Sequence, residues 1–110
     1  MSTDTAQTVA ASLQDLLDAA PVEEGRVRPH RVFDGTGVKI RMLSFDTSAT
    51  LAEHRSPFPI LVQVMSGRLL FRVGGDEHEL LPGGIIHVPA NMPHELQARE
   101  PTRAMLSILN

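Results

Sequence analysis

An all-β fold, either a rolled barrel or a sandwich, preceded by one short helix, follows from three observations on this 110-residue chain. Short apolar runs recur at the 8–12-residue spacing of all-β domains. Eight glycines and eight prolines punctuate them, more than a helical bundle tolerates. Three- and four-residue apolar periodicity is confined to the first stretch, up to Pro21. The length has room for one domain.

Composition removes several functions. With 42% hydrophobic and 21% charged residues the chain is globular in character, not disordered. Its aromatic residues are four phenylalanines, with no Trp or Tyr to build a base-stacking platform. Ten basic against thirteen acidic residues leave a net charge of −3, the wrong sign for gripping a phosphate backbone. The absence of cysteine removes disulfides, iron–sulfur ligation and thiolate catalysis. No apolar run approaches the roughly 20 residues of a membrane span, and the polar start does not read as a signal peptide. The expectation is a cytoplasmic protein that engages neither nucleic acid nor membrane.

Taken in order, Val9, Leu13, Leu16, Leu17 and Ala20 form one apolar stripe, capped by Asp4 or Thr3 and stopped by Pro21. Residues 1–21 are thus the helical segment. Residues 22–37 hold an edge strand carrying Pro29 and a hairpin at Asp34-Gly35. The barrel itself spans 38–110, and 22–110 reads as one domain. Val38, Ile40 and Met42 alternate with Lys39 and Arg41, and the phase slips at Leu43, the mark of a bulge. A hairpin from Arg68 to Leu81 turns at Gly74-Gly75, which sets Arg72 opposite Glu77 and Leu69 opposite Leu80. Strands at Ile60–Met65, Ile85–Val88, His94–Ala98 and Ala104–Leu109 complete about eight. Gly35-Thr36-Gly37 lacks the following helix of a phosphate cradle.

Two histidines stand at fixed offsets from the turn residues. His54 opens the run His54-Arg55-Ser56-Pro57-Phe58-Pro59-Ile60, and a strand then runs on to Gly67. His94 closes the run PGGIIHVPANMPHEL, with Gly83, Pro89 and Asn91 before it. Over about residues 38 to 109 this resembles the two signature motifs of the cupin superfamily. In that family the first motif is a glycine, five residues, His-x-His, three or four residues, Glu, six residues and Gly. The second is Gly, five residues, Pro-x-Gly, two residues, His, three residues and Asn. Gly83, Pro89 and His94 match the second motif. Ser48 stands at the first glycine, Ser56 at the second histidine, Ile60 at the glutamate, Asn91 at the inner glycine and Ala98 at the terminal asparagine. Of four metal-ligand positions the chain keeps His54 and His94. The resemblance implies a double-stranded β-helix, or jelly-roll barrel, and a homodimer. Limited core and open sheet edges in so short a chain are compatible with pairing. An open sandwich unrelated to the family would explain the strand count. It would not explain why both histidines adjoin these turns.

Strand alternation agrees with the family placement. His94 shares a face with Leu96 and Ala98, and His54 with Ala52 and Ser56, while Glu53 and Glu95 point away. Each imidazole therefore takes the inward face of a small barrel. A buried unpaired polar group costs about 1–3 kcal/mol, so each ring needs a hydrogen-bond partner, a ligand or a metal. The bland alternative is that Ser56 or an ordered water satisfies them. The candidate pocket comprises His54, Ser56, Phe58, Ile60, Val62, Met92 and His94, with Val64 and Met105 nearby. Such a lining suits a small, largely apolar organic ligand bearing one polar group. The candidate metal ligands are His54 and His94, with His87 as a further one, for a divalent Fe, Mn, Ni or Zn ion. The alternative is a metal-dependent enzyme, a dioxygenase or isomerase, as the family includes. Gln63 interrupts the strand LVQVM on its outward side and suits a packing or interface role, while His30 and His78 read as solvated surface.

Overall fold

The computed structural model describes residues 5–110. A short helix, α1 (Leu13–Asp18), precedes nine strands among the described residues: β1 (Val27–Gly35), β2 (Val38–Phe45), β3 (Thr50–His54), β4 (Ile60–Ser66), β5 (Leu69–Val73), β6 (Asp76–Leu80), β7 (Ile85–Val88), β8 (His94–Ala98) and β9 (Thr102–Ile108). They form a five-stranded sheet in the order β1-β2-β9-β4-β7 and a four-stranded sheet in the order β3-β8-β5-β6. All pairings are antiparallel, and β2 with β9 or β3 with β8 joins segments far apart in the chain. This is the all-β, jelly-roll arrangement expected.

The helix is much shorter than residues 1–21. Ser12 is its cap: the hydroxyl accepts from the Asp15 N–H at 3.1 Å, and the Asp15 carboxylate accepts from the Ala11 N–H at 3.0 Å. Thr3 and Asp4 lie outside the described residues. Val9 and Leu13 of the expected stripe remain 39% and 53% exposed. Ala20 is the fully buried anchor, and its carbonyl accepts from Arg103 Nε at 2.8 Å. Periodicity alone does not sustain a helix whose apolar face is so little buried.

Two local expectations are corrected in β1 and β2. The hairpin turns at Thr36-Gly37, because Gly35 already pairs with Val38. Gly37 takes the positive φ of +83°, while Asp34 is spent on an ion pair with Arg41 at 2.7 Å. The bulge lies in β1, between Arg31 and Phe33, and β2 runs in unbroken register with β9. Met42 to Phe45 are all buried because both faces of β2 are covered. Leu43 and Phe45 enter the core, while Ser44 on the other face meets His30 Nε2 at 3.1 Å. His30 is therefore half-buried, not solvated surface.

The β5–β6 hairpin follows the expected register, with Arg72 opposite Glu77 and Leu69 opposite Leu80. Gly74 and Gly75 both have positive φ, as a two-residue turn of this twist requires. The core fills the space between the sheets: Leu43, Phe45, Ile60, Val62, Val64, Val88 and Ala104 from the larger, Leu69, Phe71, Leu96 and Ala98 from the smaller. Each large side chain there contributes about 1.5–3 kcal/mol by leaving water.

Two turn positions give opposite predictions. Ser48 holds φ +66°, a strained conformation for a side chain, so Ser48→Gly should raise stability by up to about 1 kcal/mol. A Cβ on Gly67 would lie 2.4 Å from both Pro101 O and Thr102 Oγ1, so Gly67→Ala should cost about 2–3 kcal/mol. Urea unfolding of both variants checks the pair, and shifts of the same sign would contradict this account of the turns.

Candidate functional site

His94 opens β8, which lies between β3 and β5 in the four-stranded sheet. Alternation along β8 sends His94, Leu96 and Ala98 to the core, and all three are at most 2% exposed. Glu95 and Gln97 take the outer face, where Arg72 binds both of them and also Glu77. Neither carboxylate reaches the inner side.

His54 arrives by a different route from simple alternation. Leu51 pairs with Leu96 and His54 with His94, so three steps along β3 match two along β8. The extra residue is a β-bulge, which turns His54 onto the face of Leu51 and His94. The expected companionship with Ala52 is thus corrected. The outcome is the expected meeting: the two imidazole centroids lie 4.3 Å apart, with the ring planes inclined by 62°. The enclosure differs from expectation, because His94 is 2% exposed while His54 is open to solvent at the rim.

The hydrogen bonds define the tautomers. His54 Nδ1 donates to Ala52 O at 2.9 Å, and His94 Nδ1 donates to Met92 O at 3.0 Å. A carbonyl can only accept, so in each neutral ring Nδ1 carries the proton and Nε2 keeps its lone pair. Phe71 stacks on His94, with centroids 5.5 Å apart and planes inclined by 24°. Phe71 was not among the expected site residues. Its signal was present, since it shares parity with Leu69 in a well-marked hairpin.

The remaining candidates divide. Ser56 is half-buried in the loop after β3; its hydroxyl accepts from the Phe58 N–H at 3.2 Å and its carbonyl from the Asn91 N–H at 2.7 Å. That second bond ties the loop of His54 to the loop of His94. Met92 is half-buried against the core, and Phe58 is 44% exposed. Ile60 and Val62 are core residues of β4 in the opposite sheet. His87 is not brought to the pair: it lies opposite Leu61, on the side of the larger sheet away from Ile86, Val88 and the core. Neither ring lines any of the three surface clefts, although Glu53, Pro93 and Glu95, the chain neighbours of the two histidines, border one of them. A groove near the first hairpin is lined by Phe33 and Asp34, one of about 290 Å³ by Glu53, Arg72 and Glu95, and one of about 70 Å³ by Leu61, Gln63, Ile85, Met105 and Ser107.

As a metal centre the pair is half a coordination sphere. Imidazole Nε2 with Nδ1–H anchored on a carbonyl is the form in which histidine binds metals. Among the described residues no third His, Cys, Asp or Glu joins the two rings. Ile60, at the family's glutamate position, is 4% exposed and packed in the core. Any further donors must come from water or from a ligand.

Burial lowers the pKa of His94 below its ordinary 6.5, and the neighbouring His54 adds to the lowering, while the Met92 carbonyl opposes it. Below pH 6.5 the unfolded chain therefore binds a proton that the folded chain resists. Stability present above that pH should be lost as pH falls through the lower folded value. Thermal midpoints measured from pH 7 downward should decline less steeply for His94→Gln than for the parent chain, and parallel slopes would remove His94 as the cause.

The family model described as a cupin domain matches residues 41–109. No curated protein matches the chain. Among solved structures, a conserved protein of unknown function from Streptococcus pyogenes superposes with a TM-score of 0.81 at 23% identity, over 92% of this chain and 89% of that one. A cupin 2 conserved barrel domain protein from Leptotrichia buccalis gives 0.81 at 24% identity, over 87% of this chain and 47% of that one. An RmlC-like cupin from Shewanella frigidimarina gives 0.72 at 17%, over 76% of each chain. At such identities the structural likeness speaks for the fold, and the family match covers well over half of the sequence. The chain belongs to the cupin family.

Proposed function

We propose that this cupin is a cytoplasmic binding barrel that holds a small, largely apolar organic molecule by its polar end at the His54–His94 pair. One observation carries the reading. Two imidazoles meet at the margin of an apolar core with both Nδ1 atoms spent on backbone carbonyls and both Nε2 lone pairs facing no protein partner among the described hydrogen bonds. Polar groups converging beside apolar walls are what small-molecule sites are made of. Ser56, Phe58 and Met92 stand on the two loops that flank the pair, while Ile60 and Val62 belong to the core behind it. Because His54 is exposed, its replacement tests binding without emptying the core. A thermal-shift screen of small amphiphilic organic compounds should yield ligands whose affinity falls about tenfold in His54→Ala, the worth of one hydrogen bond. A screen without ligands, or ligands indifferent to the substitution, would refute the reading.

A second reading, a metal-dependent dioxygenase or isomerase, is favoured by the same two Nε2 atoms. His54 and His94 would hold a divalent ion, which would supply Lewis acidity. Metal analysis of untagged protein separates the two. Stoichiometric Fe, Mn, Ni or Zn that disappears in the His54→Ala, His94→Ala double variant favours the enzyme, and trace metal unaffected by it favours the binding barrel.

The proposed partner is a second copy of the chain, seated on the outer face of the larger sheet. Leu61, Ile85 and Met105 meet there around Gln63 and Ser107, and the cleft they line carries no charged side chain. An amide donates and accepts, so Gln63 can meet its own copy across a two-fold axis. The outer face of the smaller sheet, by contrast, carries the ion pairs Arg68–Glu79, Arg72–Glu77 and Arg72–Glu95. Ile85 is 57% exposed in the single chain, so Ile85→Lys should leave the fold intact and shift sedimentation from dimer to monomer. A monomeric parent chain would overturn the assignment.

A further inference from the structure

His94 is shut off from solvent. It is 2% exposed, with the Phe71 ring centroid at 5.5 Å and that of His54 at 4.3 Å. Neither imidazole lines a described cleft. A molecule can therefore reach His94 Nε2 only if part of the wall moves. The part held least is the end of β3. As an edge strand β3 pairs with β8 alone, and in two pieces. Thr50 and Leu51 meet Gln97 and Leu96; the bulge then interrupts the ladder until His54 meets His94. Beyond it, the Asn91 N–H donates to Ser56 O at 2.7 Å and the Leu109 N–H to Pro59 O at 2.9 Å. Leu51 is packed against the core. Residues 52–58, between these two anchors, are thus tied to the barrel backbone by the His54–His94 pairing and the Ser56–Asn91 bond. Ser56 is half-buried and the rest of the segment is exposed. Its other hydrogen bonds are internal: His54 Nδ1 donates to Ala52 O, and the Phe58 N–H to the Ser56 hydroxyl. A stretch bonded within itself and sparsely to its surroundings opens as one unit. On its outer side a cleft of about 290 Å³ separates Glu53 from Arg72 and the Gly74-Gly75 turn.

We propose that residues 52–58 form a flap, hinged at Leu51 and Pro59, that swings off the start of β8 to admit a ligand to His94 and carries His54 with it. This rests on the binding reading above and adds the route into that site. The orientation of each ring survives the motion, because Ala52 travels with His54 while Met92 stays with His94. A ligand held by both Nε2 atoms ties the flap back to the barrel, so binding favours the closed form.

Amide hydrogen exchange of the full chain, followed by NMR, tests the flap without a ligand. The Ala98 N–H donates to Ala49 O and the Arg99 N–H to Arg68 O. Alternation along β8 therefore turns the amides of His94 and Leu96 towards β3, and those of Glu95 and Gln97 towards β5. Asn91 and His94 should exchange at one common rate, at least about tenfold faster than Leu96, Glu95 and Gln97. His94 exchanging as slowly as Glu95 would overturn the flap. Leu96 exchanging as fast as His94 would overturn it too, since the whole edge strand would then fray. Access is read with diethyl pyrocarbonate, which acylates neutral imidazole nitrogens, and peptide mass spectrometry. His94 should be acylated, more slowly than the exposed His78. A His94 that never reacts in the parent chain would refute the proposal. The chain has no cysteine, so a Ser56→Cys, Asn91→Cys variant has a single disulfide available within it, one that locks the flap. Oxidation should slow the acylation of His94 by about tenfold or more, leave that of His78 unchanged, and be reversed by reduction. Equal rates at His94 in the oxidised and reduced forms would rule out the flap as the route. Should the disulfide not form, the exchange rates decide. A compound screen without ligands refutes the binding reading and leaves both readouts of the flap as they stand.

Discussion

The double pairing of β8, to β3 on one side and β5 on the other, holds the whole site in place. It sets His94 between His54 and Phe71, one from each neighbouring strand. The pairing with β3 succeeds only because β3 carries one residue more than β8 over the same span. Without that bulge, strict alternation would place His54 on the face opposite Leu51, outside the barrel. Burying His94 to 2% exposure removes its solvation, which the Met92 carbonyl and the Phe71 ring offset. Those contacts are worth about 1 kcal/mol and about 0.5–1.5 kcal/mol. The imidazole is thereby kept neutral, oriented and ready at Nε2.

The two sheets divide the work of the molecule. The smaller one holds the histidine pair on its inner face and a ladder of arginine–glutamate pairs on its outer face. Exposed pairs of this kind contribute little to stability, so their principal effect is to keep that face wet. The larger sheet supplies most of the core, and its outer face is apolar where β4, β7 and β9 meet. On the same face the Arg103 guanidinium donates to the carbonyl of the buried Ala20.

Departures from the cupin motifs fall into two physical classes. At two of the glycine positions, Ser48 and Asn91 are the non-glycine residues with positive φ among the described residues, at +66° and +63°. The backbone conformation that favours glycine is kept, and asparagine tolerates it better than serine. The turns, and hence the fold, survive. At two ligand positions, Ser56 and Ile60 replace side chains that bind metals, and Ile60 has become part of the core. Shape and chemistry have thus varied separately, as they do when one scaffold hosts many sites.

How much of this was legible from the residues depends on the range of the interaction concerned. The β5–β6 hairpin could be read to the single pair, Arg72 with Glu77, because two glycines and period-two alternation act within a few residues. The meeting of His54 and His94 followed from the resemblance to the cupin motifs, since alternation along β3 by itself grouped His54 with Ala52 and Ser56. The bulge in β3 was not legible, since an extra residue is defined only against the partner strand. The same holds for Met42 to Phe45, where burial on both faces mimics a slip in phase, and for Ser44, which covers His30 from the adjacent strand. The stacking of Phe71 on His94 and the exposure of His54 depend on how the sheet rolls. Alternation along a strand tells which residues share a face; only packing against other strands decides which face meets water, and how far each ring is covered.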